Sequence, residues 1–257
     1  MNPLRIDDPC VLFALQRERE PFCREFKPNQ VFHGAPCWAS FCGPSWLTML
    51  VMETGVGRAN VVRALDWLMA KPTLERVAYE PGLLIFAGFA GALTSELHVG
   101  DIVLADEVVD EHGCRWQTTW PGALPEGRWS PPLHRGRVLS VDRLVAAAEE
   151  KRQLGELHQS SAVDMESAIF AERCAKVGMP FACVRAISDE ATTPLSPELA
   201  SMLSGGAASP WSVVRTLARR PGMLPELLRL ARDTKHASKQ LALALGELLT
   251  LTLPWEL

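Results

Sequence analysis

One stretch constrains this chain more than any other. It is Ala162-Val163-Asp164-Met165-Glu166-Ser167-Ala168, followed by Phe181-Ala182-Cys183-Val184-Arg185-Ala186-Ile187-Ser188-Asp189. Ala162-Val163 is short and apolar, helix formers run from Met165 to Lys176, and Gly178 and Pro180 stop that helix. Phe181 to Ile187 is a compact apolar run and reads as a buried strand. Glu166 therefore stands where a strand hands over to a helix, and Asp189 just past a strand's C-terminal end. In open α/β sheets that edge is where ligands bind. Alone, Glu166 reads as a solvated carboxylate of a first helical turn and Asp189 as a turn cap. Together, in one strand–helix–strand frame, they mark a site.

The rest of the chain repeats the pattern. Val11 to Leu15 is a short apolar run and a first strand, ending in Gln16-Arg17-Glu18-Arg19-Glu20 and Pro21, so Glu18 is a third acid placed just after a strand. By itself it reads as a surface carboxylate at a helix start. A strand over Leu47 to Glu53 leads into Gly55-Val56-Gly57-Arg58, and Ala59 to Ala70 has helical spacing. A Gly-x-Gly turn opening a helix can present backbone N–H groups to an anion, although tight strand–helix packing explains the glycines equally well. Leu83 to Ala87 reads as a buried strand followed by Gly88-Phe89-Ala90-Gly91, where the backbone can come close to a ligand or a neighbouring element. Val99 to Glu107 is a turn entering another strand, Gln30 to Ser40 and Arg137 to Val141 can hold further ones, and Val145 to Leu154 looks helical. Pro121 to Pro132 is rich in Pro, Gly and Trp and reads as a loop.

After Asp189 the register changes. Residues 191–210 read as a loop that can fold over the site as a lid, Trp211 to Arg219 as a helix, and Leu224 to Leu251 as a longer helix with Leu227, Leu228 and Ala231 on its apolar face. The order of elements implies one α/β domain, a mostly parallel or mixed central sheet flanked by helices. Its core covers about 9–191, and a helical C-terminal extension covers about 192–257.

Bulk properties exclude several classes. With 257 residues, 47% of them hydrophobic, the chain suits one large α/β domain. The net charge of −4 and the lack of a basic tract argue against nucleic acid as a partner. Seven scattered cysteines without a CxxC argue against a metal site or a disulfide framework and suit free thiols in a reducing cytosol. No stretch approaches the length of a membrane span. The N-terminal residues 1–9 carry Arg5, Asp7 and Asp8 and lack a signal-like apolar core, so the expected location is cytoplasmic.

Four segments carry a family resemblance: Gly88-Phe89-Ala90-Gly91, Val99-Gly100-Asp101-Ile102-Val103, Val163-Asp164-Met165-Glu166 and Arg185-Ala186-Ile187-Ser188-Asp189. They resemble the nucleoside phosphorylase superfamily, nearest by motif the methylthioadenosine/S-adenosylhomocysteine nucleosidases. Asp164-Met165-Glu166-Ser167 and the tail Arg220 to Ala231 also look like the hopanoid-associated phosphorylase group, whose members are thought to remove adenine from adenosylhopane.

The resemblance implies cleavage of the N-glycosidic bond of a purine nucleoside, with no cofactor, a small-molecule nucleoside as partner, and a homo-oligomer. Asp189 matches the acid that protonates the purine at N7, in the segment that also holds Ser188. Glu166 matches the carboxylate that holds the ribose hydroxyls, with Met165 packing on the sugar. Glu18 matches the glutamate that activates the attacking water. Gly88 and Phe89 fall in the substrate-binding glycine segment.

The chemistry wants these residue types. The bond breaks through an oxocarbenium-like transition state, adenine leaves poorly as an anion, and a general acid at N7 is worth roughly 10²–10⁴-fold. Such an acid at Asp189 calls for a raised pKa, which burial beside apolar residues can supply. A carboxylate on the other side activates water, the two-carboxylate logic of glycoside hydrolysis.

Departures from the family refine the reading. The arginine that phosphorylases carry just before the Gly-x-x-Gly segment is replaced here by Phe86 or Ala87, and the first loop offers Glu18 in place of a phosphate cradle. Both favour water over phosphate, although Arg17, Arg19 and Arg58 are close to the expected anion site and remain candidates to bind phosphate, so phosphorolysis stays open. Phe89 stands where the nucleosidases have a small hydroxyl residue near the sugar and water. Leu144 and Val145 stand where they tend to have an aromatic that stacks on the base. Met202, Leu203 and Trp211 in the lid region suit an apolar 5′ group. A non-catalytic nucleoside-binding protein is the alternative of a different class, and the three acids argue against it.

Overall fold

The computed structural model of the chain describes residues 9–32, 34–43, 49–74, 77–120, 124, 129–196, 199 and 224–252. The lid residues Met202, Leu203 and Trp211, the helix expected over Trp211 to Arg219, and the first part of the tail motif, Arg220 to Met223, lie outside the described residues.

The strands are β1 (Cys10–Phe13), β2 (Pro28–Val31), β3 (Trp38–Cys42), β4 (Met49–Glu53), β5 (Thr73–Leu74), β6 (Val77–Ala78), β7 (Leu84–Ala92), β8 (Ile102–Asp110), β9 (Arg115–Gln117), β10 (Leu133–Ser140), β11 (Ala162–Asp164) and β12 (Phe181–Asp189). The helices are α1 (Gln16–Glu25), α2 (Arg58–Met69), α3 (Ala148–His158), α4 (Ser167–Val177) and α5 (Leu224–Thr252). One sheet runs β11-β10-β8-β12-β7-β1-β4-β3-β2 with β9 on β8, and β5 and β6 pair antiparallel as a separate two-stranded sheet. β11 also pairs with β7, so β11, β10, β8, β12 and β7 close into a ring.

The sheet is mixed. β1 lies parallel between β4 and β7, and β12 is parallel to β7 but antiparallel to β8. Alternation along the buried strands gives two apolar faces. Leu84, Phe86, Cys183 and Ile187 share one cluster with Leu65 of α2 and Phe170 of α4. Ile85, Ala87, Val184 and Ala186 share the other with Phe22 of α1 and Leu245 of α5. Helices thus cover both faces, as the element order implies.

Several boundaries differ from the sequence reading in ways that matter. β7 runs through Gly88 and Gly91 instead of ending before them, because the glycine segment keeps its ladder to β12. β12 likewise continues to Asp189, which is its last residue. The helix expected over Val145 to Leu154 is α3, shifted to Ala148–His158. On α5 the buried stripe is Ala237, Leu241, Leu245 and Leu248. The face predicted for packing is wrong, since Leu228 is 62% exposed and Ala231 faces solvent. Leu227 packs only on a satellite cluster with Leu195 and Leu199. The i, i+4, i+8 spacing that meets the sheet begins at Ala237, nearly three turns after Leu227. Among the described residues no helix is long and apolar enough to cross a membrane.

Candidate active site

Glu18 is the third residue of α1 and is 3% exposed. It shares the buried face of α1 with Phe22 and Cys23, which explains why a residue in a wholly polar run points inward. Its Oε2 accepts the N–H groups of Ala14 (3.0 Å) and Leu15 (2.8 Å), and its Oε1 accepts that of Phe89 (2.9 Å). The Leu15 bond is the helix-capping half of this arrangement; the Phe89 bond crosses from α1 to β7 and is not required by any cap. Burial pushes the Glu18 carboxyl up to about 7, opposed by its N–H donors and by Arg185 and reinforced by Glu166. Desolvation wins over three hydrogen bonds and a buried cation, leaving a carboxyl poised near neutrality, the range of a general base.

Gly88 makes this contact possible. A Cβ there would lie 2.6 Å from Arg185 Nη1 and 2.9 Å from Glu18 Oε1. The ring of Phe89 joins the α1/α5-side cluster with Trp129 and Leu133, while its N–H faces Glu18. The residue whose side-chain direction faces Glu18 is Gly88, while Phe89 contributes its N–H. Strand alternation sends the Phe89 ring to the other face.

Arg185 is 2% exposed and anchors the base of the site. Its Nη2 pairs with Asp164 Oδ2 at 2.7 Å, both nitrogens Nε and Nη2 donate to Ser167 Oγ, and its guanidinium lies 4.4 Å over the Phe86 ring. Asp164 also accepts the hydroxyl and N–H of Ser167, the first residue of α4. Glu166 is the N-cap residue of α4, half-buried, and its Oε1 accepts the N–H of Gly57 (3.1 Å). The anion that the Gly-x-Gly turn receives here is the protein's own carboxylate. Burial and then Asp164 push the Glu166 carboxyl up, with Gly57 and Arg185 opposing.

Asp189 sits where the β12–β7 register slips: Ile187 pairs with Ala90 and Asp189 with Gly91, so Ser188 is the extra residue of a bulge. Bulges re-aim side chains, and the Asp189 carboxylate lies over Gly91, where a Cβ would be 2.9 Å from Oδ2. Ser188 Oγ donates to Asp189 Oδ1 (2.8 Å), and Lys151 Nζ pairs with Asp189 Oδ2. The apolar surroundings expected for Asp189 are therefore replaced by a hydroxyl and an ammonium. Glu18 lies against Gly88 and Asp189 against Gly91, positions three residues and about 10 Å apart along β7.

Met165 lines a hollow with Arg58, Trp116, Ser140 and Glu172, and Ser188 and Asp189 line another against Arg229, Arg232 and Asp233 of α5. Arg58 pairs with Glu172 (3.3 Å) and is mostly exposed. Arg19 pairs with Glu53 (2.8 Å) and stacks 3.7 Å over Trp38. Arg17 is exposed, and its backbone carbonyl accepts from Ser238 of α5. The sequence reading singled out neither Arg185 nor Lys151 for a role.

A family model described as the phosphorylase superfamily matches residues 10–123 and 121–207. The 5'-methylthioadenosine/S-adenosylhomocysteine nucleosidase of Staphylococcus aureus (strain MRSA252) is 24% identical over 190 residues, 66% of this chain and 80% of that protein. Among solved structures, a Helicobacter pylori 5'-methylthioadenosine/S-adenosyl homocysteine nucleosidase superposes with TM-score 0.67 at 17% identity, covering 95% of this chain and 98% of that one. The futalosine hydrolase of Helicobacter pylori strain 26695 also superposes with TM-score 0.67, at 18% identity over 95% and 97% of the two chains. At such identities the superpositions speak for the fold, and the extent of the family match decides membership: the chain belongs to the phosphorylase superfamily.

Proposed function

We propose that the chain is an N-glycosidase that cleaves a purine nucleoside, a 5′-substituted adenosine, by acid-assisted departure of the base and attack of water. The observation that carries this reading is the pair Glu18 and Asp189 along Gly88–Gly91, one carboxyl buried near neutrality and the other in contact with proton donors. In this reading Glu18 takes a proton from water as the C1′–O bond forms. Glu166 holds the ribose hydroxyls and favours the charge that grows on the sugar, Met165 packs on the sugar, and Asp189 meets N7 of the base. The named activities of the S. aureus and H. pylori relatives support the same class.

Phosphorolysis is the second reading, and the superfamily match supports it. Water is favoured because Arg19 and Arg58 are each taken up by a carboxylate, while Glu18 is a buried carboxyl beside Gly88 that can serve as a base. The test is base release from a panel of purine nucleosides, including 5′-deoxy-5′-alkyl adenosines, with and without phosphate. Free sugar formed without phosphate supports hydrolysis. Strict phosphate dependence with a sugar 1-phosphate product replaces it with phosphorolysis, and no base release under either condition sinks both.

A further inference from the structure

Lys151 is a buried cation that the reaction as described does not use. Its side chain is 0% exposed, although it belongs to the polar run Glu149-Glu150-Lys151-Arg152 at the start of α3. Nζ pairs with Asp189 Oδ2 and donates to the Glu190 carbonyl (2.8 Å). An ammonium out of water needs such partners. Asp189 meanwhile accepts at both oxygens, from Ser188 Oγ and from Lys151 Nζ. An ionised carboxylate is acceptor-only and has no hydrogen of its own to give. The transferable proton nearest the leaving base is therefore on Lys151.

Building on the N-glycosidase reading, the geometry points to Lys151 as a positioning residue that supplies, through Asp189, the proton taken up by the departing purine. A proton passes from Lys151 Nζ to Asp189 and from Asp189 to N7. The C1′–N9 bond breaks with its electron pair going to the purine, which leaves neutral. Water forms the C1′–O bond and its proton goes to Glu18. Lys151 ends neutral and Glu18 protonated, and exchange with solvent through the cleft restores both. Lys151 acts on the base-leaving half of the reaction alone.

A leaving group that needs no proton separates this role from a merely structural one. The test compares 5′-methylthioadenosine with 4-nitrophenyl 5-deoxy-5-methylthio-β-D-ribofuranoside, whose nitrophenolate departs unprotonated. Lys151→Met is expected to lower kcat on the purine substrate about 10²–10³-fold and on the nitrophenyl substrate less than about threefold. Lys151→Gln keeps a hydrogen-bond donor beside Asp189 but carries no transferable proton, so it should show the same split, with thermal unfolding reporting that it folds. Parallel loss on both substrates overturns the inference, as does near-wild-type purine turnover by Lys151→Gln; either leaves the N-glycosidase reading standing. A wild-type protein that releases neither aglycone overturns that reading and the inference with it.

Discussion

The two ends of the Gly88–Gly91 segment prepare their carboxyls in opposite ways. At Gly88, Glu18 is buried and held by three backbone N–H groups, with its cation, Arg185, tied to Asp164 and Ser167. At Gly91, Asp189 is 20% exposed at its side chain and touches an ammonium and a hydroxyl directly. Backbone donors fix a carboxylate in place without offering it an exchangeable proton; an ammonium offers one. The first end suits a group that must accept a proton from water. The second suits a group that must hand one on.

That contrast breaks most visibly in rates. Glu18→Gln removes the base and should lower hydrolysis about 10²–10⁴-fold for any leaving group, the nitrophenyl riboside included. Asp189→Asn should lower purine release by about the same factor, roughly 3–5 kcal/mol in the barrier, while nucleoside binding changes little and the nitrophenyl substrate is spared. Kinetics of both variants on both substrates check this. If the two patterns coincide, the ends of the segment do not have separate roles; if Asp189→Asn turns over at the wild-type rate, the reading of Asp189 fails.

Arg185 sharpens the comparison from below. Arg185→Met leaves Asp164 as a buried carboxylate without its cation, and breaking a buried pair in this way costs about 3–5 kcal/mol of stability, measurable by urea unfolding. It also removes a charge that draws the Glu18 carboxyl down. The rise of kcat/KM with pH that reports ionisation of Glu18, expected near 7 in the wild type, should therefore move upward. An unmoved profile would detach Arg185 from the base.

Much of this frame was legible in the chain. Glu166 between a strand and a helix, Asp189 at a strand end, and Glu18 after the first strand all follow from apolar runs and their stops. What was hidden lies in helix faces and tertiary contacts. Lys151 stands in a charged run with Glu149, Glu150 and Arg152, yet it sits three residues before the buried Leu154, on the stripe of α3 that faces inward. Glu18 carries the same signal through Phe22, four residues on. The bulge at Ser188 and the passage of β7 through its glycines had no such signal. Register there is set by pairing with β7, and pairing partners are remote in sequence.

The smallest effect concerns stability and comes from Glu18 alone. Its carboxyl sits near 4.5 when exposed and is raised to about 7 in the folded chain, with burial as the main cause. Between those values the folded state binds more protons than the unfolded one, so stability falls as pH rises. The contribution is fully present below about 4.5 and lost as pH passes through about 7. Over that window the wild type should lose on the order of 3 kcal/mol from this group, because each pKa unit is worth about 1.4 kcal/mol. Glu18→Gln does not titrate, so its stability relative to the wild type should grow from pH 4.5 to pH 8. Urea unfolding of the two proteins at both pH values decides the matter: a wild-type-to-Gln difference that stays flat would mean that the N–H donors, rather than burial, govern the Glu18 carboxyl.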